Sequence, residues 1–178
     1  MASVLSHPAV PIGIAVAAGH RLVPPGLALL ACVASVLPDV DAVGFWAGVP
    51  YDAPLGHRGF THSLTFAVLL ALIAVPFAAK LRAGPGTVVA VVFVAAASHG
   101  LLDAMTTGGM GVAFFSPFSN RRFFFPFRPI EVSPIGVKGF FSMRGGEILA
   151  SEFVWIWLPA AAVALLGAIA RRSMREQS

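Results

Sequence analysis

His57-Arg58-Gly59-Phe60-Thr61-His62-Ser63 leads into an apolar run that reaches Ala79. After a short basic turn, a second apolar run returns to Ser98-His99-Gly100-Leu101-Leu102-Asp103. Two hydrophobic helices joined in this way form a hairpin, so its outer ends meet in space although they are far apart in sequence. Both ends carry His or Asp, and side chains from facing helices are how a metal site is built inside a helix bundle.

The rest of the chain is apolar enough to place this hairpin in a membrane. Of 178 residues, 57% are hydrophobic and only 11% are charged, with a mean hydropathy of +0.84. Soluble domains carry roughly 25% charged residues. An integral membrane protein of one domain spanning residues 1–178 is therefore expected. The stretch Met1-Ala2-Ser3-Val4-Leu5-Ser6-His7 lacks the basic region of a cleavable signal peptide and is expected to remain in the mature protein. The single cysteine, Cys32, rules out an intrachain disulfide. A net charge of +4 on so apolar a chain suits anionic lipid head groups better than nucleic acid, and no nucleic-acid partner is expected.

Five apolar segments stand out: Pro8 to Gly19, Gly26 to Leu37, Ser63 to Ala79, Thr87 to Met105 and Phe153 to Ala170. A full crossing takes about 20 residues, so the last three are expected to span and the first two to be short. The expected fold is an all-α membrane protein, a compact bundle of about five helices with three full spans and an aromatic and basic interfacial segment. Pro76 and Pro159 are expected to kink their helices.

On this topology seven of the eight acids and four of the five histidines fall at one end of the bundle. Only His20, beside Arg21, sits with the basic loops. Short, purely basic loops mark the cytoplasmic side, which puts the acidic end on the outer face of a bacterial- or archaeal-type inner membrane. The segment from Thr106 to Glu152 mixes Phe114, Phe115, Phe118, Phe123, Phe124, Phe125 and Phe127 with Pro117, Pro126, Pro129, Arg121, Arg122 and Arg128. That mixture suits an anchor at the membrane interface. It also suits a cap whose Phe side chains hold an acyl chain and whose arginines hold a phosphate. The two readings are compatible.

His99 and Asp103 are four apart and share one helical face at membrane depth, where ionisable groups are costly and mark functional cavities. Thr61 is read as the N-cap of the third segment, with His62 in its first turn and His57 in the preceding loop. Asp39 and Asp41 follow Pro38, and in an extended chain both carboxylates would face one side. His7 and Glu152 open the first and last segments at the same end. Glu152 is a candidate ligand or general base, while an acid at a helix N-terminus is also favourable for the helix alone. Glu131 and Glu147 are read as solvated. The ligand set is thus His7, Asp39, Asp41, His57, His62, His99 and Asp103, nitrogen and oxygen without thiolate. It suits two or three divalent ions, zinc first, then manganese or iron. Paired ions hydrolyse phosphoesters because one supplies hydroxide while both steady the charge on the attacked group.

The motifs Leu37-Pro38-Asp39-Val40-Asp41, His57 to Ser63, Ser98 to Asp103 and Ser116-Pro117-Phe118 to Ser133-Pro134-Ile135-Gly136 resemble those of the YdjM-like family of inner-membrane, metal-dependent hydrolases. The resemblance covers most of the chain. It implies an all-helical fold related to zinc-dependent phospholipase C and its nuclease relatives. It also implies ligand roles for Asp39, His57, His62, His99 and Asp103, with His7 and Asp41 joining them. The function expected is hydrolysis of a phosphoester in a membrane phospholipid. Asp103, His99, Glu152 and Arg58 would carry the chemistry, and Arg58, Arg121, Arg122 and Arg128 would bind the phosphate. Hydrolysis of a lipid amide or ester, a structural metal site and a divalent-cation carrier are the alternatives. No soluble partner is implied.

Overall fold

The computed structural model describes residues 1–134 and 143–177. Its helices are α1 (Ala9–Ala18), α2 (Pro25–Val36), α3 (Leu64–Ala74), α4 (Pro85–Ala104), α5 (Met143–Glu152) and α6 (Leu158–Glu176). A π-helical turn, Phe153–Trp157, joins α5 to α6, so the last two form one continuous rod and the described residues make five helical units. Proline occupies the first turn of α2 and α4, where its missing N–H would have no intrahelical partner. Among the described residues the only β-pairing is two isolated bridges, Thr106 with Ile130 and Val112 with Phe123. The protein is an all-α membrane protein.

Among the described residues three helices are long and apolar enough to cross a membrane: Pro25–Phe45, Pro85–Ala104 and Arg144–Met174. The expectation of three spans holds, but the second and third segments exchange roles. Pro38 cannot donate to the carbonyl one turn back, and α2 tightens there into a 3₁₀ helix, Leu37–Phe45, that carries it to full length. Pro76 does the opposite to α3, which ends at Ala74 and closes with the short 3₁₀ turn Val75–Phe77. The last span also starts earlier than Phe153. Residues 143–152, expected to belong to the interfacial segment, are helical and bury Ile148 completely.

The core between α2, α3 and α4 is built from small and β-branched residues, among them Ala31, Ala34, Ala71, Ala74, Val88, Val92 and Ala95. Such residues let helix backbones come close where lipid provides no hydrophobic drive for association. α1 and α6 pack in the same way, Gly13 against Ala160 and Gly167 against Ala17. At the basic end of this pair Arg171 donates to the Val16 carbonyl at 2.7 Å. At the other end converge the start of α1 and α3 and the end of α4 and of the span Pro25–Phe45. The segment after α4 lies over that end: Phe125 N–H donates to the Ala104 carbonyl, Ala113 N–H to that of Arg58 and Leu64 N–H to that of Phe114. Ile135 and Gly136 of the expected motif fall outside the described residues.

Candidate metal centre

The hairpin brings His62 and His99 together, with their Nε2 atoms 3.0 Å apart. Two glycines make this approach feasible. A Cβ on Gly100 would lie 2.8 Å from the His62 carbonyl oxygen, and one on Gly59 would collide with the carbonyl oxygen of Pro54. Ser63, not Thr61, caps α3, accepting from Phe66 N–H at 3.1 Å, because residues Phe60–His62 form a separate 3₁₀ turn ahead of the helix. Thr61 is thereby free to donate its hydroxyl to Asp41 at 2.5 Å.

Asp39 and Asp41 lie on the 3₁₀ helix rather than on extended chain. At three residues per turn, positions i and i+2 point about 120° apart, so the two carboxylates part company. Asp39 faces the centre, with Oδ1 3.4 Å from His99 Nε2 and 3.7 Å from His62 Nε2. Asp41 instead stands behind two histidines. Its Oδ1 accepts from His57 Nδ1 at 2.6 Å, and its Oδ2 lies 3.1 Å from His62 Nδ1 and accepts from Arg58 N–H at 3.2 Å. A carboxylate on Nδ1 holds the proton there and leaves the lone pair on Nε2. His99 is set the same way by the Ser35 carbonyl, which accepts from its Nδ1 at 2.8 Å.

His7 arrives from the N-terminal stretch. Its ring stacks on His99 with centroids 3.7 Å apart, and its Nε2 lies 3.8 Å from Asp103 Oδ1 and 4.0 Å from Asp39 Oδ2. Asp103 Oδ1 also accepts from Ala2 N–H at 2.8 Å. Among the described residues two groups can each hold a cation: Asp39, His57, His62 and Asp103, and His7, His99 and Asp103. Within each group the ligand atoms all lie within 4.8 Å of one another, and Asp103 is common to both.

Two expected members stand elsewhere. Asp41 is in neither group, for the reason just given. Glu152 is fully buried, but its oxygens accept from Ser3 N–H and from the hydroxyls of Ser3 and Ser6, so it faces the N-terminal stretch.

Arg58 is fully buried beside Asp103, its Nε 3.0 Å from Oδ2 though off the line of a hydrogen bond. Its other nitrogens donate to the Gly108 carbonyl at 2.9 Å and to Thr106 Oγ1 at 3.0 Å. Its backbone is left-handed, with φ at 62°, a conformation that costs a non-glycine residue about 1–3 kcal/mol. Arg122 is equally committed, donating to the carbonyls of His57, Tyr51 and Ala53. Of the expected phosphate binders only Arg121 and Arg128 are exposed, lying over the rings of Phe123 and Phe124. Thr106, the Ser35 carbonyl and Ala2 N–H carry no residue-type signal that sequence reading could use.

The donor set fits a metal. Both nitrogens of His7, both oxygens of Asp39, His57 Nε2 and Asp103 Oδ2 are buried without a hydrogen-bond partner. Buried polar atoms are rarely left so, because each costs about 1–3 kcal/mol. Burial, with His99 adding to it, pushes His7 down to about 3, so it is neutral and able to ligate. Burial also disfavours charge on His62, but Asp103, Asp39 and Asp41 outweigh it and raise that imidazole to about 10. Its proton balances the carboxylates, a charge that a divalent ion would supply in its place.

The YdjM inner membrane protein family matches residues 1–175. Inner membrane protein YbcI of Escherichia coli (strain K12) is 39% identical over 160 residues, covering 89% of this chain and 92% of that protein. No solved structure matches the chain significantly.

Proposed function

Since the chain belongs to the YdjM inner membrane protein family, we propose that it is a membrane-embedded, metal-dependent hydrolase acting on a phosphoester of a membrane lipid. The observation that carries this reading is the set of buried, unpartnered ligand atoms on His7, Asp39, His57 and Asp103, gathered in two groups that share Asp103. Two divalent ions, zinc first by ligand chemistry, would be held there by the two groups to which Asp103 is common. Ions in such a pair activate water and stabilise charge on a phosphoryl group.

The chain's own residues have separable tasks. His62, His57 and His99 present nitrogen lone pairs whose direction Asp41 and the Ser35 carbonyl fix. Arg58 holds Asp103 in place. Arg121 and Arg128, exposed on the segment over the site, reach for the lipid phosphate. A cavity of about 330 Å³ beside them, lined by Leu64, Leu101, Phe114, Phe115, Phe123 and Phe124 among others, takes an acyl chain. The short basic loops support an orientation with this end of the bundle on the outer face of the membrane. A cation carrier would need its ligands at mid-membrane, and the position of these at the helix ends weighs against it.

The test is incubation of zinc-loaded, detergent-purified protein with mixed phospholipid micelles, followed by mass spectrometry of the products. Diacylglycerol and a phosphorylated head group are expected from the native chain and neither from Asp103→Asn. Release of free fatty acid would favour an ester or amide bond instead. Absence of any product from every phospholipid class would overturn the proposal.

A further inference from the structure

Glu152 lies in the membrane-facing rod, yet it is fully buried and no Lys or Arg among the described residues pairs with it. Among the described residues its hydrogen bonds all come from the stretch that carries His7: Ser3 N–H to Oε1, and the Ser3 and Ser6 hydroxyls to Oε2 at 2.5 and 2.7 Å. Ser6 is held from a second direction, since its hydroxyl oxygen accepts from Trp157 Nε1–H at 3.1 Å. Glu152 and Trp157 are five residues apart, which in a regular α-helix puts them about 140° apart around the axis. The π-helical turn Phe153–Trp157 pairs i with i+5 and brings both side chains to the same serine. Serine and carboxylate therefore form an ordered chain of donors, Trp157 to Ser6 to Glu152.

The same stretch touches the metal centre twice. Ala2 N–H donates to Asp103 Oδ1, and His7 stacks on His99 with both its nitrogens lacking a hydrogen-bond partner. Since residues 2 to 7 are short, fixing Ser3 and Ser6 fixes where His7 stands. We propose that Glu152 is a positioning residue for the metal centre. Through Ser3 and Ser6 it holds the N-terminal stretch so that His7 completes the group formed with His99 and Asp103. This rests on the metal reading above for its consequence, but the anchoring itself does not.

The experiment compares the full-length native chain, Glu152→Ala, Glu152→Gln, His7→Ala and the His7→Ala/Glu152→Ala double variant. Each is measured for bound zinc by elemental mass spectrometry and for hydrogen–deuterium exchange of residues 2 to 7 under chelator. Glu152→Ala is expected to fall from two equivalents to one, matching His7→Ala, with the double variant no lower than either. Exchange in residues 2 to 7 is expected to rise at least tenfold. Glu152→Gln, which keeps one carbonyl acceptor, is expected to recover most of both. Should Glu152→Ala fail to fold, Ser3→Ala/Ser6→Ala, which removes only the hydroxyls, is expected to show the same loss of one ion. Two equivalents with native exchange in either variant would overturn the proposal. A native chain without metal, but with exchange released by Glu152→Ala, would sink the hydrolase reading and leave the anchor standing.

Discussion

His62 and His99 face each other across the α3–α4 hairpin with their Nε2 atoms 3.0 Å apart, although 37 residues separate them. The Nδ1 of His99 is already given to the Ser35 carbonyl, so its Nε2 carries a lone pair. Two such nitrogens do not attract unless a proton or a cation lies between them.

Asp41 tests whether the histidines are oriented from behind. It touches His57, His62, Thr61 and the Arg58 amide but belongs to neither ligand group. Asp41→Asn is expected to leave the fold intact and to weaken zinc binding about 10- to 100-fold, the usual cost of losing a carboxylate behind a ligating histidine. Competition with a chromogenic chelator measures it, and unchanged affinity would show that Asp41 serves only the loop.

The pH dependence follows from His62, raised from 6.5 to about 10 by its carboxylate neighbours. A raised imidazole contributes stability that is complete below about pH 6.5 and is lost as pH climbs through 10. Chelator-treated protein is therefore expected to lose thermal stability across that window, while zinc-loaded protein does not. Zinc affinity is expected to rise over the same range, by up to about tenfold per pH unit for the one proton displaced. A flat affinity between pH 6.5 and 9 would contradict the assignment of that proton.

Arg58 is the counter-charge of Asp103, and both are fully buried. Removing one partner of a buried pair leaves the other uncompensated, at a cost of about 3–5 kcal/mol. Arg58→Met is expected to destabilise the chain by that order in thermal unfolding. Arg58→Lys keeps the charge but loses the paired bonds to Gly108 and Thr106, and should fall between the two. If Arg58→Met unfolded like the native chain, Arg58 would be unimportant to the site.

Much of this was legible in the residues, and the failures have physical causes. The four-residue spacing of His99 and Asp103 on an apolar run located the centre, and hydropathy placed five helical units and three spans. The choice of spans went astray at Pro38 and Pro76, where one proline tightens a helix that continues and the other closes one; periodicity cannot distinguish them. Asp39 and Asp41 read as equivalent because their register depends on a 3₁₀ turn that composition does not announce. Thr61 looked like the cap because only tertiary contact with Asp41 draws its hydroxyl away. Glu152 pointed to the right end of the bundle, but its contacts with Ser3 and Ser6 lie 149 and 146 residues away in sequence.

The most direct test is the metal content of the native chain, purified in detergent without chelators, beside His99→Ala and Asp103→Ala. Elemental mass spectrometry is expected to find two equivalents of zinc, manganese or iron in the native protein. It should find about one in His99→Ala, which spoils one group, and none in Asp103→Ala, which both groups share. A folded native chain with no bound metal would contradict the account, since the buried nitrogens and carboxylates would then be only a polar core.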